Sequence, residues 1–150
     1  MHVYDLPTIT FMTTKNNTKY DPYQLVSLIS KYAVDQMFVE DVYSSPQMGV
    51  VSAFAFGEGK GVLIGLAAAL ALPLTLVKPA AWKKAMRVPA DKAATVLRAS
   101  QLFPKLKHQF TGPRGGLIDG RAEASLIAFF GALEMGKAPS KILEPLSAAE

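Results

Sequence analysis

The constraint that bears hardest on this chain is the run Val62 to Val77, VLIGLAAALALPLTLV, sixteen residues without a charge. Such a run has to leave water, and the options are a core, a partner surface or a bilayer. It falls short of the ~20 apolar residues that span a bilayer, and Pro73 interrupts it near its end. A buried helix followed by a buried strand fits it better, and no membrane partner is expected. At 150 residues, half of them hydrophobic, the chain is long enough to build one substantial core. One compact domain over 1–136 is the expectation, with 137–150 as a weakly structured tail around Pro139 and Pro145.

Around that run the elements read as alternating strands and helices. Val3 to Met12 is rich in β-branched and aromatic types and carries Pro7, which suggests an edge strand. TKNNTKY, residues 14–20, reads as a turn. Asp21-Pro22 suits an N-cap and first helical residue, and Leu25, Leu28, Ile29 and Tyr32 then fall on one helix face. A strand from Gln36 to Asp41 follows, then a long helix from about Gln47 to Leu72 and a strand from Leu74 to Val77. Short helices are expected at AAWKKAMRV and from Asp91 to Leu102, with the Asp91 charge favourable at its helix N-terminus. Residues 101–117, with two prolines and three glycines, read as a surface loop, and the last helix runs from about Asp119 to Met135. Met48, Phe54, Phe56 and Met135 are expected in the core. The order is that of an α/β domain in which helices cover a mixed sheet.

Charge divides the chain into three. Met1 to Glu58 has three Lys/Arg against six Asp/Glu, Gly59 to Arg121 eleven against two, and the remainder two against four. The middle block therefore carries +9. A block of that size concentrates polyanions, nucleic acid first among them, although solvation of exposed helix faces is an equally good account of the lysines alone. The chain has no cysteine and two histidines, His2 and His108, which rules out a disulfide framework and argues against zinc. MHVYDLPTIT lacks the basic start and apolar stretch of a secretory signal, so a cytoplasmic protein is expected.

Few motifs compete for the chemistry. GEGKG at 57–61 lacks the spacing of a phosphate loop and does not directly follow a strand, so small residues packing a buried helix explain it better. No nucleophile elbow and no hydrolase triad are present. The acids are more informative. Glu40 closes the apolar strand Met37-Phe38-Val39, at the carboxyl end where open α/β sheets collect ligands. Asp119 and Glu123 lie four residues apart, about 40° and one turn on a helix, so both carboxylates can face one point. An acid in the apolar helix around Ala122, Ala124, Leu126, Ile127 and Ala128 needs a reason. Three converging carboxylates would repel one another unless a hard cation sat among them, and oxygen ligands suit Mg²⁺ or Mn²⁺.

Taken together, VEDVYSSPQMGVVSAFAFGEGKGVLIGLAAALALPLTLVKPAAWKKAM, DKAATVLRASQLFP and DGRAEASLIAFFGA resemble RuvC-type Holliday junction resolvases, especially the compact forms of bacteriophages. The likeness spans roughly Val3 to Leu133. It implies a ribonuclease H-like fold and a metal-dependent endonuclease of DNA recombination and repair, cutting branched DNA as a homodimer through the helix around 47–72. Glu40 matches the family's strand-end acid, and Asp119 and Glu123 its closing acidic pair, so these three would be the catalytic, Mg²⁺-holding residues. That pair is often three residues apart in the family, whereas Gly120 occupies the matching position here. Tyr43 matches an aromatic position near the junction core, where base stacking and packing on the adjacent helix are both open roles. The basic block would hold the phosphate backbone, with Lys83, Lys84, Arg87, Lys92, Arg114 and Arg121 nearest.

One departure stands out. Members of that family begin with a strand bearing an Asp-Pro-Gly-like motif, whose aspartate is a principal metal ligand, and then a second strand. This chain starts at what resembles the third strand, and Asp5 is misplaced to substitute. The expectation is a nuclease domain incomplete at its N-terminus, with a non-catalytic DNA-binding or assembly protein of the same fold as the alternative.

Overall fold

The computed structural model describes residues 1–11, 17–89 and 91–139. Contacts divide the chain into two compact units, one of Asp5–Leu76 and one of Met1–Tyr4 with the residues from Val77 onward.

In the Asp5–Leu76 unit, β1 (Thr8–Phe11) and β2 (Asn17–Tyr20) form an antiparallel hairpin in which Thr8 faces Tyr20 and Phe11 faces Asn17. The turn expected over 14–20 is thus corrected in its second half. Thr18 and Tyr20 suit a pleated surface and gain cross-strand partners, including a 3.2 Å hydroxyl pair between Thr10 and Thr18. Residues 14–16 of that turn, and Met12 of the expected edge strand, lie outside the described residues. Helix α1 (Pro22–Ile29) begins as its sequence dictates. The Asp21 carboxylate accepts from the amides of Tyr23 at 3.0 Å and Gln24 at 3.1 Å, Pro22 takes the first turn, and Leu25 fills the interior.

Strands β3 (Met37–Glu40) and β4 (Leu74–Val77) are hydrogen-bonded neighbours, tied further by Gln36 Nε2 donating to Thr75 Oγ1 at 2.7 Å. They make a second two-stranded sheet, separate from the hairpin. Between them in sequence runs α2 (Val50–Ala69), which contains GEGKG within regular helix. Only one of its glycines admits a close neighbour. A Cβ on Gly59 would stand 2.8 Å from Tyr20 Cε2, whereas Gly57, Gly61 and Gly65 have open space.

The expectation that this helix is buried is overturned. Only Leu66 and Ala67 are buried along it, and Val50, Val51 and Phe54 are 85 %, 85 % and 72 % exposed. Phe54 and Phe56 are surface residues, Met48 and Met135 are half-buried, and none of the four belongs to the core. The physical reason is that α2 is apolar around much of its circumference while its unit supplies only a hairpin, a short helix and two short strands to cover it. By length and composition α2 could cross a membrane. However, Glu58 and Lys60 sit near its middle and pair with Lys19 and Asp41, and charges at the centre of a bilayer are costly.

The other unit packs three helices, α3 (Pro79–Met86), α4 (Lys92–Leu102) and α5 (Asp119–Glu134). Trp82 and Met86 from α3, Ala99 from α4, Ala122 and Leu126 from α5, and Phe110 are each 0 % exposed and form its centre. Asp91 does more than complement a helix dipole, since its carboxylate caps α4 by accepting from Ala94 N at 2.8 Å. The surface loop expected over 101–117 is also corrected. Its first residues end α4, Pro104–Gln109 form a 3-10 helix, and Phe103 meets Phe129 edge-on at 5.6 Å. Apolar side chains at 103, 106 and 110 draw the segment onto the helices despite its prolines and lysines. A bridge between Thr111 and Leu117 then closes a tight loop in which Gly115 takes φ +79°, leaving Arg114 exposed.

Candidate functional site

Helix α5 places Asp119 and Glu123 on one face, as their spacing requires, and that face receives two lysines from other helices. Lys92, from the start of α4, lies 2.7 Å from Asp119 Oδ2. Lys83 of α3 lies 4.0 Å from Glu123 Oε1, with its ammonium also 5.3 Å from the centroid of the Trp82 ring. The hydrogen bond from Lys92 holds the Asp119 carboxyl below the usual carboxylate range, aided by backbone amides at the helix start, and Asp119 in turn raises Lys92. An acid in this apolar helix therefore has a visible partner, which is a lysine in each case.

Glu40 ends β3 in the other unit, half-buried, and lines a cavity of about 830 Å³ with Val39 and Val42. The cavity is walled by the hairpin, by Pro22 and Tyr23 of α1 and by Phe56, Gly59 and Leu63 of α2. Its lining is largely apolar, with the Lys19–Glu58 ion pair on its wall.

Asp41 follows directly after the end of β3 and is buried. It is 8 % exposed and accepts from both the Lys60 ammonium and the Tyr43 hydroxyl. That hydrogen bond raises the Tyr43 hydroxyl above its ordinary pKa, with burial and the Asp41 charge adding to the effect. Tyr43 is 67 % exposed, and Lys60 of α2 stands 5.1 Å from its ring centroid. The Asp41–Tyr43 contact is local, formed where the chain turns after β3 and Val42 N donates to Glu40 O at 3.0 Å. Lys60, nineteen positions from Asp41, had no signal in the sequence.

The expected backbone-binding residues separate by environment. Lys84, Arg87 and Arg114 are exposed, with Arg87 closing α3 at φ 55°. Lys83 and Lys92 are engaged with the α5 acids, and Arg121 is half-buried with Nη1 donating to Gln109 O at 3.1 Å.

Asp119 and Glu123 are hard oxygen donors of the type Mg²⁺ or Mn²⁺ takes, and they fit such an ion as a pair. Among the described residues, no three of Asp, Glu and His gather into a group that could hold a metal. A complete ligand set is therefore not assembled by these side chains as they stand.

No protein-family model matches the chain, and no curated protein matches it in sequence. Solved structures do. The RuvC of T. thermophilus in complex with a Holliday junction substrate aligns over 87 % of this chain and 89 % of its own, with a TM-score of 0.55 at 12 % identity. A second Thermus thermophilus RuvC structure aligns over 87 % and 88 %, with a TM-score of 0.54 at 14 % identity. The chain therefore has a mixed α/β fold similar to that of these RuvC structures.

Proposed function

We propose that this chain is a metal-dependent endonuclease that cuts phosphodiester bonds in branched DNA. The observation that carries the proposal is the pair of carboxylates, Asp119 and Glu123, on one face of the closing helix of a RuvC-like fold. One of the similar structures holds a Holliday junction, which makes a four-way junction the natural substrate class. Asp119 and Glu123 would hold Mg²⁺ or Mn²⁺, with Glu40 as the strand-end acid. The ion would supply an activated water and stabilise the leaving oxygen. Lys84, Arg87 and Arg114 would bind backbone phosphates, so that affinity falls steeply with salt. Lys83 and Lys92 keep the acids apart from one another's charge until a cation takes over that task.

A twofold substrate calls for a twofold protein. The exposed apolar face of α2, with Val50, Val51 and Phe54, supports a homodimer formed through this helix.

The test is cleavage of a labelled four-way junction with Mg²⁺ or Mn²⁺, beside binding of the same junction in EDTA. Glu40→Gln and Glu123→Gln should each abolish cutting and leave binding within about twofold, since neither residue is assigned to the backbone. Cutting that survives Glu40→Gln removes that residue from the site. A second function, non-catalytic binding of branched DNA, draws on the lysine partners of both α5 acids and on the incomplete ligand set. Junction binding in EDTA with no cutting under any divalent ion would establish it over the first.

A further inference from the structure

The face of α5 that carries Asp119 and Glu123 is already occupied by charge, and by charge that can leave. Lys92 reaches Asp119 Oδ2 at 2.7 Å from a side chain that is 77 % exposed. Lys83 stands 4.0 Å from Glu123 Oε1, beyond ordinary hydrogen-bond length. Burial does not hold the first lysine and no tight contact holds the second, and solvated pairs of this kind bind weakly. Two ammonium groups balance two carboxylates, so a divalent ion that approaches the face finds little net charge to attract it. Exposed cations lie close by on α3, where Lys84 follows Lys83 and Arg87 closes the helix one turn beyond it. A polyanion that reaches Lys84 and Arg87 arrives beside Lys83 as well.

We infer that Lys83 and Lys92 form an exchangeable latch that couples the two ligands of the site: DNA phosphates draw the ammonium groups off the α5 acids, and a divalent ion takes the carboxylates they leave. This rests on the branched-DNA function proposed above and gives it an order of assembly, in which the free chain holds its ion weakly and the DNA-bound chain holds it tightly. A phosphodiester offers each lysine the same charge that it gives up, together with release of counterions condensed on the DNA. The ion gains two hard oxygen donors with no ammonium beside them. Each exchange removes the obstacle to the other. Coupling of this kind is reciprocal, so the ion strengthens DNA binding by the same factor by which DNA strengthens ion binding.

The experiment measures Mn²⁺ binding from the paramagnetic resonance of the free ion, with and without a saturating four-way junction, after subtracting the ions that the junction takes up alone. Every chain carries Glu40→Gln so that the junction stays whole. This parent chain should bind Mn²⁺ about tenfold more tightly on the junction, and should bind the junction more tightly by the same factor in saturating Mn²⁺ than in EDTA. Lys83→Met with Lys92→Met should bind the ion more tightly than the parent without DNA, and the effect of the junction should shrink to within about twofold. Lys92→Met alone, at an exposed position, should show both changes in smaller measure. Lys83→Arg with Lys92→Arg keeps both charges and should keep most of the coupling. Coupling in the double Met variant equal to that of the parent overturns the latch, because phosphate oxygens would then assist the ion without the lysines. Coupling within about twofold in the parent overturns it too. Failure to bind the junction at all overturns the branched-DNA function instead, and junction binding with no Mn²⁺ bound in any variant overturns its metal dependence.

Discussion

At the scale of single residues, the partnership between Asp119 and Lys92 sets a pH dependence whose sign follows from the two shifts. The Asp119 carboxyl is depressed, so its contribution to stability is present above the ordinary carboxylate value of about 4 and is lost as pH falls through its lower folded value. Lys92 is raised, so its contribution is complete below the ordinary lysine value of about 10.4 and is lost as pH rises through the folded one. Lys92 is largely solvated and Asp119 partly so, and the gain between those limits is small. Lys92→Met should return the Asp119 carboxyl toward its ordinary range, seen as an upward shift of its carbon-13 titration midpoint. Divalent ions should also bind more tightly to that variant, since a competing cation is gone. The site was legible in the sequence as far as helical geometry reaches. Four-residue spacing put Asp119 and Glu123 on one face, and an apolar helix marked the acids as unusual. That each would face a lysine was hidden, because Lys83 and Lys92 sit on other helices and only packing brings them there.

Elements show a different boundary between what local chemistry decides and what tertiary coverage decides. Asp21-Pro22 and Asp91 start their helices through side-chain caps that a reader of the sequence can place. The segment 101–117 misled because two prolines, two lysines and an arginine suggest solvent, whereas Phe110 is completely buried. In α2 the apolar run predicted a helix correctly and its burial wrongly, since composition cannot say how much covering surface the rest of a unit provides. The glycines of that helix give a direct test. Gly61→Ala adds a methyl into open space and should raise stability by about 1 kcal/mol through helix propensity alone, measured by urea denaturation at low protein concentration. Gly59→Ala should forgo part of that gain, because its methyl meets the Tyr20 ring, which has to move to admit it.

On the scale of the whole molecule, the homodimer proposed above rests on the exposure of Val50, Val51 and Phe54. Sedimentation should show concentration-dependent dimers that Phe54→Glu converts to monomers, with cutting of a four-way junction reduced more than binding of a single duplex arm. A dimer that survives Phe54→Glu would place the interface elsewhere. Two two-stranded sheets carry one more implication. Among the described residues each strand in such a sheet has a single strand neighbour, and in β3 the other edge belongs to Met37, Phe38 and Val39, a short run with high β-propensity. Copies stacking along it in parallel register would bring Glu40 against Glu40, so the acid that ends the strand would also act as a gatekeeper against aggregation. Glu40→Gln removes that charge together with a candidate ligand. It should therefore scatter light sooner on standing at neutral pH than Glu123→Gln, and its solutions need to be cleared of aggregate before loss of cutting is read as chemistry.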